Sequence, residues 1–164
     1  MEIERKYLLG EIPEGLNLND KHSISQGYIS NDPVVRIRKY DDEYILTIKS
    51  RGLIERIEIE KPLSYQEFSE LSTMVRGNLI EKDRYKIPLD DGYTLELDVF
   101  HGIYEGLIIA EIEYESIEKA ESYKAPGYLY CDVSEYPEYQ NSSLSTMSPD
   151  EIRELLEKSR RLTS

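Results

Sequence analysis

A single cysteine, Cys131, stands among the 164 residues, so no disulfide can form within the chain and a small disulfide-stapled fold is excluded. No run approaches the roughly 18 apolar residues that a membrane span needs, so a membrane partner is not expected. Positive charge is in short supply: 20 Lys and Arg face 33 Asp and Glu, for a formal net charge of −13. Such a surface repels duplex nucleic acid. The first residues, Met1 to Tyr7, already alternate like a strand, and nothing ahead of them has the basic and apolar regions of a signal peptide. A cytoplasmic protein is expected. There is no internal repeat and no linker long enough to divide the chain, so one domain over residues 1–164 is expected, ample for a sizeable core.

What the chain does have is period-two alternation. Strands are predicted near residues 2–9, 22–30, 34–41, 43–50, 54–61, 80–88, 93–100 and 107–115. Short polar turns such as Asn31-Asp32-Pro33, Asp41-Asp42 and Asp90-Asp91-Gly92 join most of them, which favours antiparallel neighbours. Two helices carry capping boxes. Ser64 to Glu67 opens one, with Phe68, Leu71, Met74 and Val75 on one face and an end near Gly77. Ser148-Pro149-Asp150-Glu151 opens the other, with an apolar stripe of Ile152, Leu155, Leu156 and Leu162. A weaker helix is predicted near Ile117–Tyr123, and residues 124–147 are expected to be mostly irregular.

Sorting each strand by parity separates two faces. One carries Glu2, Glu4, Lys6, Arg36, Arg38, Thr47, Lys49, Arg56, Glu58, Glu60, Lys82, Arg84, Glu96, Asp98, Glu111 and Glu113. The other carries Ile3, Val35, Ile37, Leu46, Ile48, Ile57, Ile59, Leu95, Leu97, Val99, Ile112 and Tyr114. A solvated outer face would account for any one strand. The whole set, seven bases and eight acids with four arginines among the bases, points instead to a sheet rolled into a barrel with its charges inward. Unpaired, those charges would each cost several kcal/mol. Such a bore must therefore hold water, salt bridges, a multiply charged anion for the bases and a metal ion for some of the acids.

The segment Glu2-Ile3-Glu4-Arg5-Lys6 resembles the ExExK signature of the CYTH superfamily, the triphosphate tunnel metalloenzymes. Arg36-Ile37-Arg38, Leu46 to Lys49, Arg56 to Glu60, Lys82 to Tyr85, Leu97 to Phe100 and Ala110 to Glu113 resemble further strands of that family in its order. The likeness covers about residues 2–115 strongly and Tyr139 to Leu144 more loosely; Asp83 departs from the family's usual small polar residue and should point away from the bore. The resemblance implies an α+β, mainly β fold: an eight-stranded antiparallel tunnel with flanking helices that binds triphosphates with Mg²⁺ or Mn²⁺.

The implied roles follow. Glu2, Glu4, Glu111 and Glu113 converge as metal ligands, with Glu60 and Asp98 available for a second ion. Lys6, Arg36, Arg38, Arg56, Lys82 and Arg84 take the phosphate chain, although one or two of these are expected to be ion-paired to Glu58 or Glu96. Lys49 and Tyr28 handle protons, the lysine being lowered toward neutrality by surrounding cations. His22 and His101 are structural, and Asn141 with the last helix caps one mouth. The expected partner is a small-molecule triphosphate (tripolyphosphate, a nucleoside triphosphate or thiamine triphosphate), taken by a monomer or homodimer. Hydrolysis of tripolyphosphate is the expected reaction. The rivals are adenylate cyclase chemistry, with segment 123–139 stacking the adenine, a non-catalytic polyphosphate-binding module, and a structural β-domain with no anion affinity.

Overall fold

A computed structural model describes all 164 residues. The strands are β1 Glu2–Leu9, β2 Lys21–Asn31, β3 Val34–Tyr40, β4 Glu43–Lys49, β5 Glu55–Arg56, β6 Glu58–Leu63, β7 Arg76–Pro88, β8 Thr94–Phe100 and β9 Ile108–Glu113. The helices are α1 Tyr65–Ser72, α2 Ile117–Ser122, α3 Asn141–Leu144 and α4 Pro149–Leu162, with short 3-10 turns at Gly102–Tyr104 and Pro137–Tyr139. No helix is long and apolar enough to cross a membrane.

The strands form one antiparallel sheet in the order β5-β1-β9-β8-β7-β2-β3-β4-β6. Nine are found where eight are expected, and the difference lies in a single place. The strand predicted over 54–61 breaks at Ile57; its first part, β5, pairs with β1, and its second, β6, pairs with β4. The two outermost strands of the sheet are thus halves of one segment, and the barrel closes through it. β7 also starts at Arg76 rather than near residue 80, because α1 stops at Ser72 instead of running toward Gly77. Gly77 has φ 71°, and a side chain there would collide with the Ser145 carbonyl. The contact is held by a 2.7 Å bond from the Asn78 amide to that carbonyl.

Both capping boxes form, at Ser64–Glu67 and Ser148–Glu151. Outside the barrel, Ile3, Leu95, Leu97 and Ile112 are covered by Leu16, Ile117, Tyr123 and Tyr128. Cover is incomplete over β4 to β6, where Ile57 and Ile59 are 54% and 59% exposed. Inside, the charged parity does not run the full length of the barrel. One step beyond Lys6, Lys82 and Glu111 the inward residues are Leu8, Ile80 and Ile109, joined by Phe100 beyond Asp98. These pack on Tyr104, Leu107, Val133, Tyr139, Leu144, Ile152 and Leu155, so an apolar base fills that end. The segment after residue 124 is irregular as expected, apart from α3, the 3-10 turn and a bridge from Tyr7 to Asp132.

Candidate active site

Above the apolar base lies a cavity of about 310 Å³. All seven bases of the ionic parity, Lys6, Arg36, Arg38, Lys49, Arg56, Lys82 and Arg84, line it. So do seven of the eight acids; the exception is Asp98, 1% exposed and lying behind the bases. Lys86 also lines the cavity and was missed, although it shares the parity of Lys82 and Arg84. Gln26 was missed because it is uncharged and stands among Ser, Gly and Tyr, where parity carries little contrast.

The bases fall into two groups. Arg84 forks onto Asp98 at 2.8 and 3.0 Å and reaches Glu96 at 3.0 Å. Lys82 meets Asp98 at 2.8 Å, and Lys49 lies 3.0 Å from Glu2 and 3.1 Å from Glu58. Arg56 also reaches Glu2, at 3.1 Å. These cations are already paired. Arg36, by contrast, has only a 3.2 Å bond to Thr47, and Lys6 only a 3.3 Å bond to the Tyr139 carbonyl. Arg38 has a single long contact of 3.4 Å with Glu60. The Nε atoms of Arg36 and Arg38 are buried without partners, an expense that a bound anion would relieve. Burial and the nearby Arg36 and Arg84 lower Arg38 to about 10.

On the acidic side, β1 and β9 set Glu4 opposite Glu113 and Lys6 opposite Glu111. Burial, then the charges of Glu111 and Glu2, push Glu4 well above the usual carboxylate range. Burial opposes the charge of Glu111 too, but Lys6 and Arg84 outweigh it and hold that group well below. The two neighbouring carboxyls are thus shifted in opposite directions, Glu4 up and Glu111 down. Glu2 is also opposed by burial, yet its bond with Glu58 and the cations Lys49 and Arg56 bring it to about 2. Burial and the bond to Glu2 raise Glu58 to about 7.

Several expectations change here. The four carboxylates do not meet at one point: no three acids, His or Cys are grouped as a metal site, because Lys49 and Arg56 draw Glu2 aside. The Glu4–Glu111 pair remains, two carboxyls whose charges disfavour ionisation of Glu4, and a divalent cation would relieve that crowding. Asp98 is the counter-ion of Lys82 and Arg84 and does not line the cavity, so it is not placed for a second ion; Glu60 lines the cavity and meets Arg38. Lys49 is surrounded by carboxylates rather than cations, since β6 brings Glu58 opposite it and the barrel closure brings Glu2. Tyr28 lines the cavity, but its hydroxyl meets Gln26 rather than Lys49. The tyrosines of segment 123–139 offer no adenine shelf in the bore: Tyr123 stacks on Tyr93 and Tyr114 outside, and Tyr139 is buried in the base.

The remaining placements agree with expectation. Asp83 points outward and meets His101 at 2.8 Å, and His22 sits between Asp20 and Asp41. Asn141, at the start of α3, lines the cavity and accepts from Lys82 at 3.1 Å.

Known proteins share this sequence and architecture. An inorganic triphosphatase of Nitrosomonas europaea is 34% identical over 153 residues, spanning 90% of this chain and 99% of the relative. An inorganic triphosphatase of Acetivibrio thermocellus is 36% identical over 148 residues, 87% of this chain and 92% of the relative. The crystal structure of an inorganic triphosphatase, 33% identical, superposes with a TM-score of 0.66 over 91% of this chain and 97% of that one. No family model matches the chain.

Proposed function

The chain belongs to the CYTH superfamily of triphosphate tunnel enzymes, beside relatives named inorganic triphosphatase, and from that premise we propose that it hydrolyses inorganic triphosphate. The observation that carries the reading is a barrel whose cavity holds arginines with orphaned Nε atoms together with crowded carboxylates. An anion of several charges satisfies the first and a divalent cation, Mg²⁺ or Mn²⁺, the second.

In this reading Lys6, Arg36 and Arg38 grip the phosphate chain, while Arg56, Lys82 and Arg84 tune the field around it through their own counter-ions. Phosphoryl transfer asks mainly for position and charge neutralisation, which such a wall supplies. Glu4 and Glu111 would hold the cation, with Glu113 beside them on the cavity wall; the ion would polarise the terminal phosphoryl group. Water attacks the terminal phosphorus, the bridging P–O bond breaks, and orthophosphate leaves diphosphate behind. Glu58, whose proton affinity lies near neutrality, takes the proton of the attacking water, and the Lys49 ammonium beside it favours the ionised carboxylate that accepts it. The Tyr28 hydroxyl donates a hydrogen bond to a phosphate oxygen. We place the enzyme in the cytoplasm, with a small-molecule triphosphate rather than duplex nucleic acid as its partner.

The test is incubation with tripolyphosphate or ATP and either metal, following phosphate, pyrophosphate and cyclic AMP. Phosphate from tripolyphosphate is expected. Cyclic AMP with pyrophosphate would make the chain a cyclase, and tight binding without turnover would make it a carrier.

A further inference from the structure

Three residues of the cavity wall, Lys82, Asn141 and Tyr28, are joined through the buried Gln26 by a chain of polar contacts. Lys82 Nζ lies 3.1 Å from Asn141 Oδ1, Gln26 Nε2 lies 3.2 Å from the same oxygen, and that Nε2 lies 3.1 Å from the Tyr28 hydroxyl. A side-chain amide can be turned over with almost no change of shape, so the direction of each bond must be reasoned from a group that has no choice. Lys82 is that group. An ammonium only donates, and although burial lowers Lys82 to about 8, its contact with Asp98 at 2.8 Å keeps it charged at neutral pH.

The rest follows by elimination. Asn141 must offer Oδ1 to Lys82. Gln26 must then answer with Nε2, because two carbonyl oxygens at this separation repel. The same Nε2 faces Tyr28, so the phenol oxygen accepts. A phenol has one proton, and Tyr28, which lines the cavity, is left with that proton for another partner. The arrangement has a visible cost: Gln26 Oε1 is buried with no donor. Turning Gln26 over would satisfy it from the Tyr28 hydroxyl, but Asn141, locked by Lys82, forbids the turn.

We propose that Gln26, held by Asn141 and Lys82, is a positioning residue that aims the Tyr28 hydroxyl proton into the bore toward the triphosphate. The inference rests on the reading above in which Tyr28 touches substrate. It is tested by a double-mutant cycle on kcat at saturating tripolyphosphate, with thermal melts as the folding control. Gln26→Met keeps the size and charge of the side chain and removes the amide, and should lower kcat about fivefold, the scale of one lost hydrogen bond. Tyr28→Phe should lower kcat by at least as much, and the double variant should fall no further than Tyr28→Phe alone. Asn141→Ala, which frees Gln26 to turn, should show the same dependence on Tyr28. If the Gln26→Met and Asn141→Ala losses multiply with that of Tyr28→Phe, the inference is wrong while the role of Tyr28 stands. If Tyr28→Phe leaves kcat untouched, the role of Tyr28 fails, and the inference with it.

Discussion

Arg36 and Arg84 are both buried arginines in one bore, yet their surroundings predict opposite losses. Arg84 shares the neutralisation of Asp98, which is 1% exposed, with Lys82, so Arg84→Ala leaves that buried carboxylate with one cation instead of two and should cost about 3 kcal/mol in denaturant titration. Arg36 has no carboxylate partner and an orphaned Nε. Its alanine variant should melt no lower than the parent while kcat/KM falls about 10²- to 10³-fold. Glu58 supplies a pH prediction. Its proton affinity is raised to about 7 from 4.5, so between those values the unfolded chain ionises and the folded one resists. The contribution of Glu58 to stability therefore falls as pH rises from about 4.5 to 7. Melting temperature in the absence of divalent metal, compared between the parent and Glu58→Gln across that window, should show the parent losing ground with rising pH. Which side chains face the bore was legible in the alternation of charge; which cations were free was not. Asp98 and Arg84 have the same parity, and only the register of β7 and β8 sets them opposite each other.

Among the elements, the strands and both capped helices were readable because each has a local signal, alternation or a Ser-x-x-Glu box. The break at Ile57 has none: Arg56 to Glu60 alternates without a flaw, and the interruption comes from the need of one segment to pair with β1 at one end and β4 at the other. The apolar base was likewise hidden, since Leu8, Ile80 and Ile109 look like ordinary strand residues until the barrel closes around them. α4 contributes Ile152 and Leu155 to this base, and Ile152 is 3% exposed. Ile152→Ala should cost about 2–5 kcal/mol. Ser148→Ala, which removes only the cap, should cost about 1 kcal/mol, and the two are separable by urea titration.

For the whole molecule, a net charge of −13 coexists with an anion site because bases and acids balance along the cavity lining, which leaves the excess acid on the rest of the molecule. Burial and neighbouring guanidinium groups disfavour the charge on Arg38, and burial and neighbouring carboxylates disfavour it on Glu4. Tripolyphosphate alone or a divalent ion alone relieves one half of this and leaves the other. Added together they should raise the melting temperature by more than the sum of their separate shifts; at about 100-fold excess over Kd a single bound ligand is worth ~2.7 kcal/mol. Additive shifts would mean that the two sites do not communicate.

The closure through β5 has a mechanical consequence. Two residue pairs, Glu2 with Arg56 and Ile3 with Glu55, and a 3.0 Å bond from the Glu4 amide to Ile54 fasten the ring there, whereas β2 and β7 share seven pairs. A bracelet opens at its clasp, and this one carries Glu2, Lys49 and Arg56 on its inner side. Deuterium should enter the backbone at Glu4 and Arg56 well before it enters the β2–β7 ladder, and a snug ligand drawing those side chains inward should slow it.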